Sequence, residues 1–245
     1  MSTPIAFERL HNFRDLGGPR AAGGRAVRRG RLFRSDSLGK LHGPDLDRFL
    51  GLGVRTVIDL RHPWEVERSG RVPHRDGLAY HNLSVEHRPY DQAGLDPDVD
   101  PVPFLAERYA ELADEGAGEL RQALEVIAGD TAPLVFHCHS GKDRTGVLAM
   151  LVLTLLGVDE DDIAADFALT GLATERLVAE WHASYPHLTL RWPAYGTAPA
   201  GIIRRFSAGL AERYGSVRGY AAERLGAGDD LVAALRDRLL DPVPA

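Results

Sequence analysis

PLVFHCHSGKDRTGVLAMLVLTLLG, residues 133–157, changes character twice. Leu134 to Phe136 is apolar and β-prone, which predicts a buried strand. Val147 to Leu156 is an almost unbroken apolar run, long enough for a buried helix and too short to cross a bilayer. Between them, His137-Cys138-His139-Ser140-Gly141-Lys142-Asp143-Arg144-Thr145-Gly146 must turn the chain from strand to helix. Ser140 and Gly141 permit the torsions of a tight turn. Such a turn aims successive backbone N–H groups at one point, at the positive end of the following helix. The stretch therefore predicts an anion seat, with Cys138 at its rim and Arg144 closing it.

The residue types fit one chemistry. A free thiol has a pKa of about 8.5, which a helix N-terminus and nearby cations lower to roughly 3.5–7.5. Cys138 is then a thiolate beneath a phosphate held by the turn. Arg144 offers a planar fork that grips two phosphate oxygens and stays charged throughout. Thiolate attack on phosphorus gives a phosphocysteine, which water hydrolyses. Thr145 is placed to hydrogen-bond the sulfur as it leaves.

Other readings of the loop are weaker. If the strand runs on, His137 and His139 share one face and Cys138 takes the other. No second cysteine exists to complete a thiolate metal set, so no metal is expected. A nucleotide-binding loop fails because Gly141-Lys142 is followed by Asp143 and no glycine stands five residues before Gly141. A sulfur-transfer or arsenate enzyme also uses a cysteine in an anion loop, and a phosphate-binding module without turnover is a further alternative. A buried, inert cysteine is the bland one; Arg144 and Thr145 argue against it.

The run resembles the His-Cys-x5-Arg-Ser/Thr signature of the cysteine-dependent protein tyrosine phosphatase superfamily. With Gly-Lys-Asp-Arg-Thr-Gly inside it, it is most similar to bacterial tyrosine phosphatases of dual protein and phosphoinositide specificity. Asn12-Phe13-Arg14-Asp15-Leu16-Gly17-Gly18, Arg34-Ser35-Asp36, Asp59-Leu60-Arg61 and Arg213-Tyr214-Gly215-Ser216 resemble that family in order and spacing. The resemblance implies phosphotyrosine proteins as substrates, with phosphoserine, phosphothreonine or phosphoinositides beside them. It makes His139, Ser140, Gly141 and Lys142 the phosphate-binding positions. Lipid-active relatives carry a lysine where Lys142 stands, an extra cation for a second phosphate; the bland reading leaves it in solvent or pairs it with Asp143 or an acid of the Asp91–Asp100 loop.

The acid that protonates the leaving oxygen is not set by the residues. Many superfamily members carry it on a Trp-Pro-Asp loop, whereas this chain has only the reversed Pro63-Trp64-Glu65. Asp59 stands at the carboxyl end of a predicted strand, and Asp143 lies inside the loop itself. Asp36 is a third candidate. Each has a structural alternative: Asp59 bonds Arg61 or orients Arg144, and Asp143 caps the helix.

The remaining chain of 245 residues supplies the scaffold. Hydrophobic residues make up 44%, ample for a core, and a net charge of −6 argues against a nucleic-acid partner. Lys40 and Lys142 are the only lysines. One cysteine excludes an internal disulfide, and no signal or membrane-spanning segment is visible, which points to the cytoplasm. No cofactor is called for, and the oligomeric state is not set.

Pairs of short strands are expected between Ile5 and Leu38, at a sheet edge. A helix from Pro44 and a strand over Val54–Leu60 follow, then a strand over Ala79–Leu83. A long loop spans Pro89–Pro103. Helices are expected over Phe104–Ala113, Gly118–Ala128, Ile163–Leu169, Glu175–Ala183, Ala200–Tyr214, Val217–Arg224 and Asp229–Leu240. Helix–strand alternation predicts an α/β fold with a short, mainly parallel central sheet flanked by helices. One domain over 1–245 is expected, with about 160–245 as a helical elaboration or lid. Asp59 and Cys138 both fall at carboxyl ends of strands, where such sheets bind ligands.

Overall fold

The computed structural model describes residues 2–242, so 1 and 243–245 of the expected range lie outside the described residues. Six strands among them form one sheet: β1 Thr3–Pro4, β2 Arg14–Asp15, β3 Leu32–Ser35, β4 Thr56–Asp59, β5 Ala79–Asn82 and β6 Leu134–His137. Their order is β1-β2-β3-β6-β4-β5. β3, β6, β4 and β5 are parallel, while β1 and β2 add an antiparallel margin. The fold is α/β with a short, mainly parallel sheet, as the alternation predicts.

Side-chain alternation gives the sheet two buried faces. Leu32, Ile58, Leu134 and Phe136 join one apolar cluster; Phe33, Val57 and Val135 join another. The second is covered by α1 Gly43–Gly51 through Phe49, with Phe7 and Phe13 beside it. The first carries the larger helical layer, centred on α5 Asp143–Leu156.

Every residue of α5 from Arg144 to Leu153 is buried, which explains why its sequence shows no polar stripe. Each fully buried leucine there contributes roughly 2 kcal/mol of apolar transfer. Gly157 ends the helix at φ +82°, a torsion that costs glycine little. Around α5 pack α3 Pro101–Glu115, α6 Glu160–Ala168, α8 Ala200–Tyr214, α9 Val217–Glu223 and α10 Asp229–Leu239. α4 Ala117–Gly129 packs on α10 and α3. No described helix is long and apolar enough to cross a membrane.

Three expectations need correction. β3 is interior, between β2 and β6, and of the strands in this early region only β1 is an edge strand. Leu32-Phe33 offers an apolar side chain to each face, which suits an interior strand. The 89–103 loop ends early because Asp100 accepts the Val102 N–H at 2.9 Å, and Pro101 starts α3. That loop is also tied to the core, with the Trp192 indole donating to the Val99 carbonyl at 2.9 Å. A helix over 63–69 was not anticipated: α2 Pro63–Ser69 is short, and its start is fixed by the Glu65 carboxylate accepting the His62 N–H at 2.8 Å.

Ile202, Ile203, Phe206, Val217, Tyr220, Leu235 and Leu239 belong to the main apolar cluster, so the C-terminal helices α8, α9 and α10 contribute to the core. Residues at the far end close back on the start of the chain: Val27 bridges Leu240, and the Asp241 N–H donates to the Ala26 carbonyl at 2.9 Å. α7 Thr174–Ser184 is different. It leans on the turn over 169–173 and is fastened by Glu180, which holds Lys40 Nζ at 2.6 Å and His11 at 2.8 Å.

Candidate active site

Register sets the site at one end of the sheet. Ser35 and Asp59 each pair with His137, so β3, β4 and β6 finish level, and the chain leaves β6 directly into Cys138. The strand stops at His137, so alternation does not carry through the loop. His137 is fully buried against Asp59, with its Nδ1 3.1 Å from the Cys138 carbonyl, while His139 is exposed. The two histidines therefore do not share a face. Burial lowers the His137 pKa, with Asp59 acting against it.

Gly141 takes φ +69°, and a Cβ there would stand 2.5 Å from the Ser35 carbonyl oxygen. Only glycine lets the loop turn this close to β3. Beyond it, α5 begins with Asp143, so its first-turn N–H groups face the loop. Cys138 is 1% exposed at the base. The Thr145 hydroxyl is buried and finds no hydrogen-bond partner among the described residues.

Arg144 is held as a fork. Its Nη1 and Nη2 donate to the two Glu65 oxygens at 2.5 and 3.0 Å, and its Nε lies 3.5 Å from a Glu86 oxygen. Burial alone would lower the guanidinium pKa, but the Glu65 hydrogen bond, Cys138 and Glu86 raise it above the ordinary value. Burial raises the Glu86 carboxyl and outweighs Arg144, with Asp143 and Glu65 adding to the rise. The Glu65 carboxyl is lowered: burial works against ionisation, and Arg144 overrides it.

The candidate acids separate cleanly. Asp59 is fully buried, and its oxygens accept Arg61 Nε at 2.9 Å, Arg61 Nη2 at 2.7 Å and the Tyr80 hydroxyl at 2.9 Å. Neither oxygen is left to face a substrate. Asp36 is also fully buried, accepting the His11 and Asn12 N–H groups and Lys40 Nζ at 2.9 Å. Asp143 is partly exposed beside Arg144; its Oδ1 takes the Tyr109 hydroxyl at 2.7 Å and lies 2.9 Å from Lys142 Nζ. Its Oδ2 has no hydrogen-bond partner among the described residues. Lys142 itself is buried and not in solvent, and it pairs with Asp143, as the bland reading allows.

With this geometry in place, comparison with known proteins gives the family. A model of the tyrosine phosphatase family matches residues 5–241. The chain belongs to the tyrosine phosphatase family. Among its relatives is the "Putative tyrosine-protein phosphatase" of Cupriavidus necator, 36% identical over 66% of this chain and 61% of that protein. The triple specificity protein phosphatase PtpB of Mycobacterium tuberculosis is 30% identical over 64% of this chain and 65% of its own. A tyrosine-protein phosphatase of Nostoc commune is 31% identical over 56% and 47%. The match thus spans between about half and two thirds of each relative's length. The solved structure of P. aeruginosa TpbA overlaps 68% of this chain and 88% of its own at 17% identity, with a TM-score of 0.32.

For a member of this family, the sequence reading left out two carboxylates and a phenol: Glu65, Glu86 and Tyr109. Glu65 had a local signal, since a glutamate two residues after a proline at a helix start suits a capping box. Its bond to Arg144, 79 positions away, had none. Tyr109 sat in an ordinary apolar stripe, and nothing in that stripe marks the one phenol that reaches Asp143.

Proposed function

We propose that the protein hydrolyses phosphate monoesters, chiefly phosphotyrosine in proteins, through a phosphocysteine intermediate. The observation that carries this reading is the convergence of Cys138, the Glu65-splinted fork of Arg144 and the open Oδ2 of Asp143 on one strand–turn–helix loop. Cys138 attacks phosphorus in line, and Arg144 holds the equatorial oxygens as charge builds on them. Asp143 gives its proton to the departing phenol oxygen. In the second step Asp143 takes a proton from water, the water oxygen attacks phosphorus, and the Cys138 sulfur leaves as thiolate with the Thr145 hydroxyl donating to it. Asp59 serves as an anchor for Arg61 and His137.

Two substrates with different leaving groups test the assignment. An aryl phosphate with a good leaving group needs little protonation, and an alkyl phosphate needs much. Asp143→Asn is expected to reduce kcat on the alkyl ester about 10²-fold or more while largely sparing the activated aryl ester. Asp59→Asn should lower both together. Equal losses for Asp143→Asn on the two esters would remove it as the acid.

Phosphoinositide head groups are the second substrate class. Lys142 Nζ is buried beside Asp143 yet has no hydrogen bond of good geometry among the described residues, so it keeps donors for a second phosphate. The relative named for triple specificity supports breadth of this kind. Lys142→Ala should cut turnover of a phosphoinositide more than that of a phosphotyrosine peptide. Equal effects on the two, or a wild type without lipid turnover, would end this reading.

A further inference from the structure

Three successive carbonyls of the loop are pinned from outside. The Ser37 N–H donates to the His139 carbonyl at 3.0 Å. Asn12 Nδ2 donates to the Ser140 carbonyl at 3.0 Å, and Arg34 Nη2 to the Gly141 carbonyl at 2.7 Å. In a planar trans peptide the C=O of one residue and the N–H of the next point in opposite directions. Holding these three oxygens outward therefore turns the N–H groups of Ser140, Gly141 and Lys142 to the inner side. None of the three donates to a backbone carbonyl among the described residues.

The two side-chain pins meet at one carboxylate. Asp166, on α6, accepts Arg34 Nη1 at 2.6 Å and Arg14 Nε at 2.8 Å. Arg14 also donates to Asn12 Oδ1, and Asn12 Nδ2 reaches the Thr170 hydroxyl at 3.2 Å. Arg14 and Arg34 are directly opposite one another on β2 and β3, a pairing of like charges that only a shared anion makes tolerable. All three charges are buried: Arg34 is 0% exposed, Arg14 2% and Asp166 3%. Removing one member of such a cluster leaves the others uncompensated.

We infer that Asp166, outside the signature loop, is a positioning residue for the anion seat: through Arg34 and the Arg14–Asn12 pair it aims the Gly141 and Lys142 N–H groups at the bound phosphate. The electrostatics agree with the geometry. Burial pushes the Asp166 carboxyl up, but Arg14 and Arg34 prevail and hold it at about 2. It stays ionised wherever the protein is used. Arg34 is lowered to about 10, first by burial and then by Arg14, with Asp166 acting against both.

The inference rests on the phosphate-binding reading above, and amide NMR separates the two. Inorganic phosphate titrated into the wild type should move the Ser140, Gly141 and Lys142 amide protons downfield. In Asp166→Asn the Gly141 and Lys142 shifts should be lost, with kcat on an aryl phosphate reduced about 10²-fold, the scale of one lost oxyanion donor. Asp166→Glu should restore part of both. If Asp166→Asn does not fold, Asn12→Ala decides: it frees the Ser140 carbonyl alone, so the Gly141 shift should fall while the Ser140 shift persists. Variants whose amides respond like the wild type would overturn the role of Asp166. A wild type whose amides ignore phosphate would instead overturn the anion seat itself.

Discussion

Cys138→Ser is expected to abolish turnover, by at least ~10⁴-fold, while inorganic phosphate and vanadate still bind. The two halves of this result come from different atoms. In the proposed mechanism the anion is gripped by backbone N–H groups, the N-terminus of α5 and the Arg144 fork, and the substitution touches none of them. Attack on phosphorus needs a thiolate, and a serine hydroxyl at neutral pH holds its proton. Cys138 is buried, with the sulfur in a pocket the smaller oxygen also fits, so the fold should persist. Turnover of an aryl phosphate and isothermal titration with phosphate measure the two halves separately. A serine variant retaining near-wild-type turnover would sink the phosphocysteine mechanism, and one that no longer binds phosphate would place the thiolate among the binding groups.

Arg144→Lys conserves charge and should still lose about 10³-fold in kcat, about 4 kcal/mol of transition-state stabilisation. The guanidinium makes two parallel bonds to Glu65, and this splint fixes the plane of the fork. An ammonium is a point donor on a flexible stem and reproduces neither the splint nor the bidentate grip. It also leaves a Glu65 oxygen buried and short of a partner, a further cost. Steady-state kinetics on one aryl phosphate, resolved into kcat and KM, distinguishes the roles. A lysine enzyme that loses only affinity would make Arg144 a binding group with no special place in the transition state.

Much of this site was legible because its parts are contiguous. Strand, turn and helix follow one another from Leu134 to Leu156, so periodicity and a few small residues located the loop. The parallel sheet was legible for a similar reason, through repeated helix–strand alternation. What stayed hidden depends on distance. Asp59 and Asp143 looked equivalent in sequence, each an aspartate near a strand or loop end. Only packing reveals that Arg61, Tyr80 and His137 surround the first, while the second keeps an oxygen free. Glu65 was visible in Pro63-Trp64-Glu65 but had no assignable partner. The C-terminal stripes of Ile202, Phe206 and Leu235 read as helix, yet nothing in them says that α8 packs on α3 and α9, or α10 on α4 and α5.

The bridge between Val27 and Leu240 bears on how such a chain comes together in time. By helix content it resembles the local, rapidly assembling proteins. Its sheet, however, seats β6 between β3 and β4, strands drawn from far earlier in the sequence. α10 must then arrive to cover α4 and α5 before the larger apolar layer is shut. Each such closure spends loop entropy before any contact repays it. Individual helices gain little lasting hold until distant segments meet, so topology, and not helix propensity, sets the pace.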